Sequence, residues 1–240
     1  MHKLEVVNSE THQNIKILLE RELEHNANVH MSHIVPTEFA EVSQYYPIFF
    51  SKDSDSGQFQ PVALFGLLVD ENIYQTSGLW SKCYLPLKIQ SQPFYLINDE
   101  AQNNENAKPS LAIDINDIRV QEAQGEVLFV DNKATPYLKH KAVILAELTK
   151  GFVLNSTFIS SLLEHDLLES VELDIKYSGG QAHKVNGLYT INKKMLEKVP
   201  LNIQQEFEQQ GYVALISAVL SSMNHVATLI NIKNSLTNQQ

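Results

Sequence analysis

The chain has 240 residues, a formal net charge of −10 from 18 basic and 28 acidic residues, 43% apolar residues and one cysteine. That composition is globular, and the length can bury a core without cross-links. One cysteine excludes an internal disulfide and a cysteine-built zinc site. The acidic balance, with short basic clusters only at Lys139–Lys141 and Lys193–Lys194, argues against nucleic acid and against an anionic membrane surface.

MHKLEVVNSETHQN opens the chain without an apolar run, so no signal peptide is expected. With a lone cysteine, the cytoplasm is the simplest address. SETHQNIKILLERELEHN, residues 9–26, suits a serine-capped helix, although IKILL also suits a strand. NVHMSHIV reads as a strand. PTEFAEVSQYY reads as a helix with Pro36 in its first turn and Glu38 and Glu41 near its positive end. PIFFSKD and PVALFGLLV read as buried strands around the polar SDSG turn. Six of the eight prolines lie between Pro36 and Pro109, which disfavours long helices there.

A Gly78 turn precedes GLWSKCYLPLKIQSQPF, which holds the single tryptophan, Trp80, and the single cysteine, Cys83. On an extended strand Trp80 and Tyr84 would share a face. Asn98–Ser110 is polar and apolar-poor, a candidate for disorder. LAIDIND and GEVLFVDN read as strands. TPYLKHKAVILAELTKGF reads as a helix capped by Thr135, followed by a second helix in STFISSLLEHDLL. VELDIKYSGGQAHKVNGLYTIN reads as a hairpin around Gly179–Gly180, and KKMLEKV and IQQEFEQQG as short helices. In the last segment Tyr212, Ile216, Val219, Met223, Val226 and Ile230 mark one apolar helix face, although YVALISAVL also suits a strand. The expected fold is α+β, with a mixed or antiparallel sheet in the strand-rich first half and helices mainly in the second. One domain is expected over 1–240, strand-rich over 28–130 and helix-rich over 135–240.

No GxSxG, phosphate-loop, GxGxxG or HExxH motif is present. Among nine histidines, His25, His30 and His33 fall within nine residues, yet no Asp or Glu accompanies them. Solvated or capping roles are expected, and neither metal nor cofactor is. Cys83 has no base near in sequence and is expected to be a small buried apolar residue. The pairs Glu38/Glu41 and Asp114/Asp117 are expected on the solvated surface. Trp80, Tyr84 and Phe94 are expected in the core first, with a ligand platform or interface as the alternative.

Between Glu208 and Lys233 there is no charged residue. That span is long enough to cross a bilayer, but Ser217, Ser221, Ser222, Asn224, His225 and Thr228 oppose insertion. It is expected to be buried or to face a partner, with burial favoured, and no membrane span is expected. Ser221, Asn224 and His225 are the interface candidates there.

VPTEFAEVSQYYPIFF, PVALFGLLVDENIY, GLWSKCYLPLKIQSQPF, LFVDNKATPYL, NGLYTIN and GYVALISAVLSSMNHVATL, in this order, resemble the bacterial SapC family, named after a surface-layer-associated protein. The most specific residues are Glu38, Phe39, Tyr46, Pro47, Phe50, Gly66, Glu71, Asn72, Gly78, Trp80, Tyr84, Pro86, Pro93 and Phe94. Two departures stand out. Gln90, Ser91 and Gln92 occupy positions that are often basic in the family, and Asp131–Asn132 replaces an acid-glycine turn, where Asn still tolerates the left-handed region. The family brings no catalytic residues to carry over. Its members are often encoded beside flavin-dependent halogenase-like proteins, cupin-like proteins and TonB-dependent receptors. The resemblance therefore implies a cytoplasmic accessory role with a protein partner in uptake, modification or surface-layer work. A homo-oligomer is the other assembly considered. Trp80, Tyr84, Phe94, Glu71 and Asn72 join the binding candidates, and the alternative is an enzyme with a histidine/carboxylate pocket.

Overall fold

The structure is a computed structural model that describes residues 2–19, 25–97, 109–176 and 182–237. In chain order the strands are β1 (Leu4–Val6), β2 (Lys16–Ile17), β3 (Met31–His33), β4 (Ile48–Lys52), β5 (Phe59–Leu64), β6 (Phe94–Ile97), β7 (Ser110–Asp114), β8 (Val120–Gln121), β9 (Glu126–Val127), β10 (Phe129–Val130), β11 (Lys133–Ala134), β12 (Leu168–Lys176) and β13 (Ala182–Ile191). The helices are α1 (Phe39–Val42), α2 (Ile73–Thr76), α3 (Leu87–Ser91), α4 (Pro136–Glu164), α5 (Lys193–Leu196), α6 (Leu201–Gln209), α7 (Tyr212–Ser222) and α8 (Asn224–Thr237). Short 3-10 turns lie at Pro36–Glu38 and Trp80–Lys82. The fold is α+β, as the strand-rich first half and helix-rich second half predict. The chain gathers into two compact units, residues 1–26 with 87–149 and residues 27–86 with 150–240.

The first unit holds two small antiparallel sheets, β1-β7-β6 and β8-β2-β9, and the β10–β11 hairpin. The hairpin turns at Asp131–Asn132, both left-handed (φ 49° and 60°), so the replacement of glycine is accommodated there. Thr135 then starts α4: its hydroxyl accepts from the Leu138 N–H (3.3 Å) and donates to the Val127 carbonyl (2.8 Å). Phe94, Ile113, Leu128 and Leu138 form the core. Lys141 is buried against the carbonyls of Gln90 (2.5 Å) and Gln92 (3.3 Å). A positive charge thus does reach the segment before Pro93–Phe94, from α4 rather than from positions 90–92.

The second unit is built on one antiparallel sheet in the order β12-β13-β4-β5-β3. IFFSK and PVAL lie near the middle of it, so they read as continuous apolar runs. The second half of α4 packs on it through Phe158, whose ring meets Phe39 and Phe50. The sequence pattern suggests two helices where α4 is one. Gly151 is the reason: a Cβ there would sit 2.4 Å from the Val35 side chain. The glycine admits a close approach and does not break the helix.

The structure corrects two further expectations and decides two open ones. Residues 80–82 form a 3-10 turn, not a strand, so Trp80 and Tyr84 do not share a sheet face. Of the two readings of YVALISAVL, the helix is the one formed. Residues 9–14 are turns, and the strand reading of IKILL holds at Lys16–Ile17. The helix from Tyr212 is interrupted at Met223, which shifts the buried stripe: Tyr212, Ile216, Val219, Ser222 and Leu229 are buried, while Met223, Val226 and Ile230 are half-buried. The polar stretch 98–108 and the Gly179–Gly180 turn lie outside the described residues.

Candidate functional site

The motif-rich segments of the second unit converge on Tyr46. Its ring packs edge-on against Phe65 (4.9 Å between centroids) and Tyr74 (4.8 Å), and Trp80 stands 5.0 Å from Phe65 and 6.2 Å from Tyr46. Trp80 is only 3% exposed, so it is core. Such pairs contribute about 0.5–1.5 kcal/mol each beyond the area they bury. The Tyr46 hydroxyl is sealed inside with no hydrogen bond of good geometry among the described residues, and the Cys83 thiol is its polar neighbour. Burial drives its ionisation far above the ordinary phenol range, with the Cys83 contact adding to the effect. Because a buried unpartnered hydroxyl costs about 1–3 kcal/mol, Tyr46→Phe is expected to leave the melting temperature unchanged or raise it. A clear drop would mean the hydroxyl is bonded.

Tyr84 is half-buried, and its hydroxyl donates to Glu38 Oε2 at 3.1 Å. Glu38 Oε1 accepts from the Val35 N–H at 3.0 Å. Glu38 is therefore a buried structural carboxylate, contrary to the surface role expected for it. Burial, then the Glu38 charge, raises the Tyr84 phenol. Burial also raises the Cys83 thiol, against a lowering contact with Tyr46, which keeps it protonated and a poor nucleophile.

Glu71 and Asn72 organise a turn. Glu71 Oε2 accepts from the Leu67 (3.2 Å) and Leu68 (3.3 Å) amides, and Oε1 pairs with Lys233 of α8. The Asn72 side chain caps α2 by accepting from the Gln75 N–H at 3.1 Å.

The outer face of α7 and α8 is the most distinctive surface of this unit. Ser217, Ser221, Asn224 and Thr228 are exposed, so the favoured expectation of burial is overturned. Inside, the Ser222 hydroxyl accepts from the Ile48 N–H (2.9 Å) and donates to the Val219 carbonyl (2.7 Å). His225 Nε2 donates to the Ser43 carbonyl at 3.0 Å, tying α8 to the chain after α1. Beside the exposed face runs a groove of about 360 Å³ between Leu196, Val199, Phe207, Val213 and Leu220. Val213 is 47% exposed on its rim. By length and composition alone, Pro136–Glu164 and Tyr212–Leu236 could each cross a membrane; 39% and 28% of their most apolar windows are buried.

The SapC family model matches residues 7–229. The chain belongs to the SapC family. No curated protein and no solved structure matches it. In this SapC chain the specific motif residues describe a fold. Phe39, Phe50, Trp80 and Phe94 are core, Phe94 in the first unit against Tyr137 at 6.3 Å. Gly66, Glu71 and Asn72 make one turn, and Glu38 anchors Tyr84.

Among the described residues, no three His, Cys, Asp or Glu side chains gather as a metal site. His25 lies in the first unit, 3.8 Å from Asp117 Oδ2. In the second, His33 is exposed on β3 and His30 precedes it, its carbonyl accepting from Phe65 (2.7 Å) and Gly66 (2.9 Å).

Sequence reasoning missed a buried charge cluster in the first unit. Of Asp114 and Asp117, both expected on the surface, Asp114 is buried, and Asp117 is half-buried with its side chain only 4% exposed. Arg119, 0% exposed, grips Asp117 with both arms: Nε to Oδ1 at 2.8 Å and Nη2 to Oδ2 at 2.6 Å. Its Nη1 has no partner among the described residues. Asp114 accepts from the Lys3 (2.9 Å) and Asn116 (3.1 Å) amides and pairs with His2. The D-I-N-D-I-R spacing was the available signal, but nothing local shows that it is buried.

Proposed function

We propose that this SapC-family chain is a non-catalytic accessory protein of the cytoplasm that binds a protein partner through the outer face of α7 and α8 and the groove beside Val213. One observation carries the reading: a surface-exposed helical face that runs from Glu208 to Lys233 without a charge. A helix facing only water ordinarily carries charges on its outer side, whereas interface cores are depleted in them. The net charge of −10 disfavours an anionic leaflet as the occupant. Family resemblance points to a flavin-dependent halogenase-like or cupin-like protein as the partner.

Light scattering of the chain with each neighbouring gene product tests this. A complex is expected, and Ser217→Glu with Ser221→Glu, two like charges on one helix face, should weaken it by about tenfold or more, since a buried unpaired charge costs several kcal/mol. Both positions are exposed, so stability should hold. A monomer that binds none of these proteins, or equal binding by the variant, overturns the proposal. So does flotation with neutral lipid vesicles, which would give the face to a membrane. Self-association disrupted by the same variant would instead assign it to a second copy.

A further inference from the structure

The second unit has another concave site, beside the β4–β5 hairpin. It is a groove of about 620 Å³ between that hairpin and the second half of α4. The size suits a small organic molecule. Phe152, Asn155, Ile159 and Leu163 line it at helical spacings of three, four and four, with Ser156 and Ser160 beside them. Lys52, Phe59 and Gln60 form the facing wall.

Three features give the groove a chemical character. Its walls mix apolar and polar side chains and are in part rigid: Phe59 is held edge-on by Tyr189 at 4.8 Å, Phe152 and Leu163 remain exposed, and Gln58, Ser156 and Ser160 add polar edges. It holds an acceptor with no partner among the described residues. Asn155 lines it at 5% exposure, and its Nδ2 donates to Gln60 Oε1 at 3.2 Å while its buried Oδ1 accepts from none of the described residues. Its charge is one-sided. Lys52 supplies an ammonium 5.6 Å from the Phe59 ring centre, and among the described residues no acidic side chain lines the groove of this acidic chain. The nearby Asp53 turns its carboxylate into its own loop, accepting from the Ser56 amide (2.7 Å), the Ser56 hydroxyl (2.7 Å) and the Asp55 amide (3.2 Å).

We propose that this groove binds a small amphipathic carboxylate: an aliphatic or aromatic body between Phe59 and Phe152, an N–H or O–H donor to Asn155, and the carboxylate at Lys52. The site is separate from the α7–α8 face, so it stands or falls independently of partner binding.

N-acetyl-phenylalanine and N-acetyl-leucine, with their C-terminal amides as controls, are suitable probes for titration of the full chain by NMR or calorimetry. Saturable binding of an acid is expected with a Kd of about 1 mM, ordinary for ligands of this size. The amide should bind about threefold to fivefold more weakly, the scale of an exposed charge pair. Asn155→Leu should weaken binding about tenfold by removing the acceptor. Ser160→Trp, at an exposed helix position, should abolish binding by filling the groove while preserving the melting temperature. Absence of saturation by every probe, or unchanged binding in Ser160→Trp, overturns the proposal.

Discussion

Gly66→Ala is expected to cost more than about 4 kcal/mol, in the range reserved for named structural faults. A Cβ at residue 66 would lie 2.1 Å from the Glu71 carbonyl oxygen and 2.9 Å from its carbon. Both are backbone atoms, so no side-chain rotation relieves the clash. Nor can the loop drift away. Glu71 is fixed by the Leu67 and Leu68 amides and by Lys233, and Asn72 is fixed as the cap of α2. On the other side the Gly66 amide donates to His30 at 2.9 Å, and Ile73 donates to Phe65 at 2.9 Å. At about 2–4 °C per kcal/mol for a chain of this size, the melting temperature should fall by roughly 10 °C or more. Glu71→Gln, which keeps the backbone and removes only the charge, should cost far less, about 1–2 kcal/mol. Urea unfolding of the two variants checks the order; equal effects would remove the steric argument.

This turn also shows what a sequence can and cannot disclose. The Gly66–Asn72 spacing signals a constrained loop, but the atom that forbids a side chain becomes known only from the fold. The strands IFFSK and PVAL and the β12–β13 hairpin are legible because period and turn residues act locally. Glu38 and Asp117 are not. A carboxylate reads as surface until its buried partner is placed. Tyr84 is 46 residues from Glu38 in sequence, and the Asp114 backbone joins β1 through the Leu4 register. The aromatic run at Trp80 misleads in another way. Its residue types suit a strand, yet tertiary packing against Tyr46 and Phe65 holds it in a 3-10 turn. The uncharged C-terminal face is visible in the sequence, but its exposure is not, because the side of α7 and α8 that packs inward is set by distant partners, Ile48 for Ser222 and Ser43 for His225. The Asn155–Gln60 contact spans 95 residues, and no local pattern marks it.

The buried charge cluster of the first unit should make stability acid-sensitive in two stages. His25 is shifted below the ordinary 6.5, first by burial and then by the Arg119 charge, with Asp117 opposing. The folded chain therefore binds this proton less readily than the unfolded one. Its stabilising effect is complete above about pH 6.5 and falls as pH drops towards the lowered folded value. For Asp117, burial pushes the carboxyl up, but the hydrogen bonds and charge of Arg119 carry it below the ordinary 3.8. Asp114 follows the same course: burial raises it, and His2 with the Lys3 and Asn116 amides lowers it. Depressed carboxyls contribute fully above about pH 3.8, and the contribution is lost as pH falls through their folded values. Denaturant unfolding from about pH 7.5 to about pH 3 should show both declines, and His25→Gln should remove the upper one alone. A variant profile that superimposes on the wild type would take His25 out of the account. Arg119→Met should cost about 3–5 kcal/mol, because the buried Asp117 side chain then loses both guanidinium hydrogen bonds and its main counter-charge. Adding Asp117→Leu should recover much of that loss, since an apolar pair of similar volume removes the stranded charge. If the double variant is as unstable as Arg119→Met, Arg119 matters for its packing and not for the charge it holds.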